Sequence, residues 1–321
     1  MKYDLTQARK CIETLDKRRF DRALLGSGDA FRHIVSLVPL LLHLNHPALP
    51  GYVEDAPAGI ADFILSNYQQ NYLSKEHPEL IEDVQSAVNS DAVFTPILGI
   101  YVMGSFGSIS QTSASDLDIW ICHQDDLSEQ DQQRLAEKTK KISQWASTYH
   151  VEMHFYLMTQ QRFRNERYSD PLTKENSGSA QYMLLLEEFY RSAVRLSGKP
   201  LLWLHLWVED EKQYEAEVAR LVAEGELNPN DWVDFGGLGQ FSASEYFGAS
   251  LWQLYKGIDS PYKSVMKILL LETYAQEYPN AHLIARQFKE DLLSGRSTAA
   301  HHFDPYIAIL ERISQYLTAH S

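Results

Sequence analysis

Three short runs rich in β-branched and aromatic residues crowd into one stretch of a chain whose other apolar residues recur at helical spacing: TPILGIYVMG at 95–104, SDLDIWICH at 115–123 and HVEMHFYLM at 150–158. Side chains repeat every two residues along a strand and every 3.6 along a helix, so these runs must pair with one another rather than extend their helical neighbours. Between the second and third lies a charged segment, 128–149, with helical spacing at Leu135, Ile142 and Trp145. The order strand, loop, strand, helix, strand predicts a mixed sheet with flanking helices, an α+β fold.

Helical spacing also runs through 5–20 and 31–44, broken at Gly26 and Gly28 and stopped by HPALPG at 46–51. A short helix is expected at 78–88, and helices at 180–196, 209–224, 243–255, 260–278, 281–293 and 305–320. We therefore expect N-terminal helices and a sheet-bearing core over 1–200, and a mostly helical second lobe over 201–321. No internal repeat or low-complexity tract interrupts this order.

The 29 Lys and Arg against 43 Asp and Glu leave a net charge of −14 in 321 residues. Such a field repels nucleic acid and anionic lipid at long range, so a nucleic-acid partner is disfavoured. An anionic ligand would need locally gathered cations or recruited metal ions. Two cysteines, Cys11 and Cys122, cannot build a disulfide framework, and the N-terminus, MKYDLTQARKCIETLDKRRF, is too charged for a secretory signal. Residues 34–53 contain no Asp, Glu, Lys or Arg, but three prolines and His43, Asn45 and His46 make them a buried helix followed by a loop rather than a membrane span. A cytoplasmic protein without an integral membrane segment is expected.

The candidate chemistry lies at the strand ends. In S-D-L-D, strand alternation projects Asp116 and Asp118 to one face together with Trp120, while Leu117, Ile119 and Ile121 face the core. Two carboxylates so close repel each other unless cations sit between them, and hard divalent ions such as Mg²⁺ favour this oxygen ligation and bridge to phosphates. Upstream, Gly104 lets the backbone approach a ligand, and Ser105 is expected at a helix N-terminus that presents N–H groups and a hydroxyl to phosphate. On the third strand, Glu152, His154 and Tyr156 share a face, and Glu152 is the candidate third carboxylate for metal-dependent phosphoryl or nucleotidyl transfer. Arg191, Arg195 and Lys199 are expected along one face of a helix, with Lys256, Lys263 and Lys267 further on, where Ser260 and Pro261 have the character of N-cap and N1. Either set could hold a polyphosphate or simply pair with Glu187, Glu188 or Asp259. Zinc spacings are absent, and Trp120 is the aromatic placed to stack on a base.

The GS…SDLDIW pattern followed by a later VE resembles the DNA polymerase β-type nucleotidyltransferase superfamily. A closer resemblance is to the bacterial class I adenylate cyclases, carried by YVMGSFGSISQTSASDLDIWICHQ at 101–124, LLLEEFYRSAVRLSGK at 184–199 and EYFGASLWQLYKGIDSPYKSVMKILLLETY at 245–274. RALLGSGDAFRHIVSLVPLLLHLNHPALPGY at 22–52 is similar as well, so the likeness covers nearly the whole chain. It implies a nucleotidyltransferase-type sheet and conversion of ATP to 3′,5′-cyclic AMP and pyrophosphate with Mg²⁺ or Mn²⁺. It also implies that Asp116 and Asp118 bind metal, that Ser105 contacts phosphate and that Arg191 and Lys199 face the triphosphate. Two ions are expected, held by Asp116, Asp118 and Glu152, with Lys263 and Lys267 absorbing further charge. Family chains are longer and carry a C-terminal regulatory region tied to sugar-transport signalling, so this chain resembles the catalytic part. The rival readings are a nucleotidyltransferase that acts on a separate acceptor and a non-catalytic nucleotide-binding module.

Overall fold

A computed structural model describes residues 5–81, 84, 95–113, 115–166, 182–258, 260–296 and 300–320. Its centre is a mixed sheet of β1 (Ile97–Met103), β2 (Leu117–His123), β3 (Met153–Met158) and β4 (Val194–Gly198), in the order β3-β2-β1-β4. β1 is antiparallel to β2 and β4, whereas β2 and β3 are parallel. A parallel pair needs a long crossover, and helix Glu129–Ser147 supplies it, capped by Ser128, whose hydroxyl accepts from the Asp131 amide at 3.1 Å.

Strand alternation sorts the side chains into two cores. Ile100, Val102, Ile119 and Ile121 pack with helices Asp29–His43 and Glu129–Ser147 on one face. Tyr101, Met103, Trp120 and Cys122 pack on the other with helix Tyr182–Ser192 and with residues from the C-terminal part, including Trp203, Val233 and Phe288. On this second face apolar packing runs without interruption across position 200.

The uncharged stretch 34–53 divides as expected, into a helix that ends at His43 and then turns. Lys138 is buried beneath this helix end, and its ammonium donates to Leu44 O at 2.9 Å and Asn45 Oδ1 at 3.1 Å, satisfying groups that the helix terminus leaves over. Burial lowers its pKa to about 8. Among the described residues no helix is long and apolar enough to cross a membrane.

Helices Leu5–Leu25, Ala243–Lys256, Pro261–Gln276, Ile284–Ser294 and Pro305–His320 match the expected periodicity. Ser260 takes the N-cap position before Pro261, but its side chain makes no capping hydrogen bond. Of the helix expected at 78–88, Pro78–Leu80 form a 3₁₀ turn and Ile81 and Val84 are helical, while residues 82, 83 and 85–88 lie outside the described ones, as do 180 and 181.

The largest departure follows Ser192. A continuous helix over 180–196 is replaced by a helix that stops at Ser192 and by β4, the fourth strand of the sheet. Five residues, VRLSG, are too few for periodicity to distinguish strand from helix. The free edge of β1 decides it, because Gly99, Ile100, Tyr101 and Val102 pair with Gly198, Ser197, Arg195 and Val194. Gly198 closes the strand at φ +87°, where a Cβ would lie 2.5 Å from Leu98 O and 2.6 Å from Gly99 Cα. Gly198→Ala is therefore expected to destabilise the fold by about 2 kcal/mol or more, measurable as a lower midpoint of urea unfolding.

Candidate active site

Asp116 stands immediately before β2 and Asp118 within it, so both project to the same side of the strand. Asp118 is level with Met103 on β1 and with His154 on β3. Glu152 accepts the Leu117 amide through its carbonyl at 2.9 Å, which brings it alongside the start of β2. Asp116, Asp118, Glu152, His154 and Tyr156 thus share one face of adjacent parallel strands, as the alternation predicts. Their side chains are not drawn into one cluster. The Tyr156 hydroxyl donates to Asp118 Oδ1 at 3.3 Å, whereas the Glu152 carboxylate lies 3.1 Å from His154 Nε2 and is 72% exposed.

Burial and the neighbouring Asp116 charge raise the pKa of the half-buried Asp118, with a smaller push from Glu188, while His154 and the Tyr156 hydroxyl oppose the rise. Burial and Asp118 in turn raise the Tyr156 phenol to about 12. Asp116 and Asp118 are therefore an oxygen-donor pair whose mutual repulsion a divalent cation would relieve. Among the described residues no group of three or more His, Cys, Asp and Glu side chains is arranged to hold a metal ion. The pair fits such an ion, and Glu152 does not yet belong to the set.

Gly104 ends β1 at φ +88°, a conformation that favours glycine. It lies against the carboxylates, since a Cβ there would sit 4.0 Å from Asp118 Oδ2. The residues that follow differ from expectation. Instead of a helix N-terminus, turns run through Ser110, and the Gly104 N–H already donates to Ser192 Oγ at 3.1 Å. Ser105 is buried, and its carbonyl accepts from the Ser108 amide at 3.0 Å and the Ser108 hydroxyl at 2.7 Å. This segment competes poorly as a helix because Ser108 turns back on Ser105, and because Gly107, at φ +68°, packs against the backbone of Arg19. The Ile109 amide is held by Asp304 Oδ2 at 2.7 Å.

The cations separate. Arg191, Arg195 and Lys199 do not share a helix face, because the helix has become β4. Arg191 is buried in an ion pair with Glu187, whose second oxygen accepts from the Tyr274 hydroxyl at 3.2 Å and the Ala285 amide at 3.1 Å. Burial disfavours the Arg191 charge, but Glu187 and Glu188 outweigh it and raise the pKa. Arg195 reaches Gly198 O and Glu13. Lys199 follows β4 level with Leu98, to which its amide donates at 2.8 Å. That is the opposite end of β1 from Met103 and Asp118, at least four strand residues or roughly 13 Å away. Its backbone therefore leaves the sheet at the far end of β1 from the aspartates.

Trp120 is corrected as well. It shares the parity of Asp118, yet helix Tyr182–Ser192 covers that part of β2. Its indole stacks on Phe189 with ring centroids 4.2 Å apart and meets Phe163 and Phe235 edge-on, so no face remains for a base. Lys267 is held by Glu188 Oε1 at 2.7 Å, and the Glu188 charge in turn reaches Asp118. Lys263, one turn earlier, lies over the Tyr306 ring, and among the described residues it has no ion pair. Glu188 was expected only as an ion-pair partner for the cations, which its pair with Lys267 shows, and Ser192 was not singled out.

Residues 4–204 match the family model described as the adenylate cyclase NT domain, and residues 241–321 the one described as the second domain of class-I adenylate cyclase. The chain belongs to the class I adenylate cyclase family. It is 68% identical to the adenylate cyclase of Haemophilus influenzae over 99% of its length, 61% to that of Pasteurella multocida over 100%, and 45% to that of Escherichia coli K12 over 96%. It spans 38%, 38% and 36% of those proteins. Among solved structures, the spectinomycin adenyltransferase AAD(9) from Enterococcus faecialis with ATP and spectinomycin is 16% identical at a TM-score of 0.33, covering 75% of this chain and 90% of that one. A likeness that low supports no inference.

Because the folded state raises the Asp118 pKa, it binds that proton more tightly than the unfolded chain does. Stability is therefore lost as pH rises from the ordinary carboxylate value through the raised one. Asp118→Asn keeps an acceptor for Tyr156 and removes the repulsion. Its melting temperature should exceed that of the wild type at about pH 7 and converge with it near about pH 3 in metal-free buffer.

Proposed function

We propose that this chain carries the cyclising centre of a class I adenylate cyclase, converting ATP to 3′,5′-cyclic AMP and pyrophosphate. The observation that carries this reading is the Asp116 and Asp118 pair on one strand face, where burial and the Asp116 charge raise Asp118, with the Gly104 turn beside Asp118. The identity to named adenylate cyclases over nearly all of this chain supports it.

The reaction is intramolecular. The ribose 3′ oxygen forms a bond to the α-phosphorus, the bond from that phosphorus to the bridging oxygen of the β-phosphate breaks, and the 3′ proton leaves to a base or solvent. Asp116 and Asp118 would hold the divalent cation, Mg²⁺ or Mn²⁺. Such an ion lowers the pKa of the attacking hydroxyl and offsets charge on the departing pyrophosphate. A second ion and a share for Glu152 belong to the proposal, and Glu152 must first turn away from His154. Lys267 and Lys263 are assigned the polyphosphate in this reading, together with Arg191. Tyr156 orients the Asp118 carboxylate through its hydrogen bond. A cytoplasmic location suits an ATP-consuming site, and regulation linked to sugar transport is the partner reading that the family suggests.

The purified chain incubated with ATP and Mg²⁺ or Mn²⁺ should release cyclic AMP and pyrophosphate in equal amounts, resolved by chromatography. Asp116→Asn and Asp118→Asn should each cut kcat more than tenfold, a barrier increase above about 1.4 kcal/mol, with the far-ultraviolet dichroism retained. Product that appears only when a separate hydroxyl acceptor is added would replace cyclisation by nucleotidyl transfer. Mg²⁺ should raise the melting temperature of the wild type and not that of Asp118→Asn.

A further inference from the structure

Glu187 and Glu188 are successive residues of helix Tyr182–Ser192, so their side chains diverge by roughly 100°. Glu187 turns inward, where Arg191, Tyr274 and the Ala285 amide fix it. Glu188 turns toward the carboxylate face and takes the Lys267 ammonium at 2.7 Å. Its carbonyl accepts from the Ser192 hydroxyl at 2.7 Å, and that same hydroxyl holds the Gly104 N–H. One helical turn therefore braces the Gly104 turn against Asp118 and, through the Glu188 carboxylate, holds Lys267. The lysine is not sealed in, since 23% of its side chain is exposed.

We propose that Glu188 is a positioning residue that parks Lys267 and releases it to the polyphosphate of the incoming nucleotide, while Arg191 stays behind in its pair with Glu187. This rests on the ATP reading above and adds to it a residue and an exchange of partners. The two cations are built for different roles. Lys267 carries a compact charge with rotatable donors on a flexible stem and can follow a new anion. Arg191 is buried and held by Glu187, so it cannot. A polyphosphate outcompetes a single carboxylate for the mobile ammonium because it brings several charges within reach. Glu188 is not orphaned by the exchange. Burial alone would raise its carboxyl, but Lys267 and Arg191 together hold it below the ordinary value, and Arg191 remains when Lys267 leaves.

The test is a binding cycle with α,β-methylene ATP and Mg²⁺, followed by calorimetry, on the wild type, Glu188→Gln, Lys267→Met and the double variant. Glu188→Gln keeps the shape and removes the competing charge, so it should bind the analogue about fivefold tighter or more, and Lys267→Met should bind it weaker by a similar factor. In the Lys267→Met background, Glu188→Gln should bring no tightening. With ATP, Glu188→Gln should lower KM and also lower kcat, because the freed lysine is no longer delivered to one place, and Glu188→Asp should restore kcat. Unchanged or weaker analogue binding by a Glu188→Gln protein that melts like the wild type would overturn the exchange, as would tightening that persists without Lys267. Analogue binding by a wild type that forms no cyclic AMP would sink the cyclase reading and leave the exchange standing.

Discussion

The buried guanidinium of Arg19 is the interaction on which the rest of the site depends. From helix Leu5–Leu25 it donates to the carbonyls of Arg191 at 3.0 Å and Ala193 at 3.5 Å, and to that of Phe303. Arg191 and Ala193 lie where helix Tyr182–Ser192 ends, so the cation meets carbonyls that have no helical partner and the negative end of the helix dipole. Burial lowers its pKa to about 10, opposed by Asp16 and Asp304, so it stays charged at neutral pH. Gly107 rests on its backbone, and Asp304 holds both Arg22 and the Ile109 amide. One arginine thereby registers the first helix, the end of the site helix, the loop after β1 and the segment before the last helix.

From that anchor the site is assembled by neighbours rather than by distant forces. Helix Tyr182–Ser192 ends where Arg19 caps it, Ser192 then reaches Gly104, and Gly104 lies against Asp118. The face so formed is rich in carboxylates within a chain of net charge −14. The cations that enter it are held by specific glutamates, Arg191 by Glu187 and Lys267 by Glu188. Pairing brings positive charge into an acidic surface without leaving any of it buried and unmatched. An anionic ligand then meets cations already in place, although the long-range field of the protein opposes it.

Much of this was legible along the chain. S-D-L-D-I-W-I-C fixes both the strand and the side on which Asp116 and Asp118 emerge, because alternation is a property of the backbone. The same parity correctly put Glu152, His154 and Tyr156 beside them, yet it misled for Trp120. Parity names a face but not what covers it, and the helix over β2 turns the tryptophan into core a few residues from an open carboxylate. The expected cationic helix face departs for another reason. The i, i+4, i+8 spacing of Arg191, Arg195 and Lys199 is genuine, but spacing has meaning only inside a continuous helix, and five residues went to pair with β1 instead.

The sequence by itself determined the elements and the chemistry they offer: short alternating runs for a mixed sheet, amphipathic helices to cover it, and paired aspartates at a strand start. These follow from local periods and side-chain chemistry that neighbours cannot change. Only the tertiary structure decided that Glu188 takes Lys267 and that Gly104 gives its amide to Ser192 beside Asp118. The reason is that each of these pairings joins residues about 80 positions or more apart, and no local pattern encodes which of many lysines or glutamates the folded chain will bring within about 3 Å.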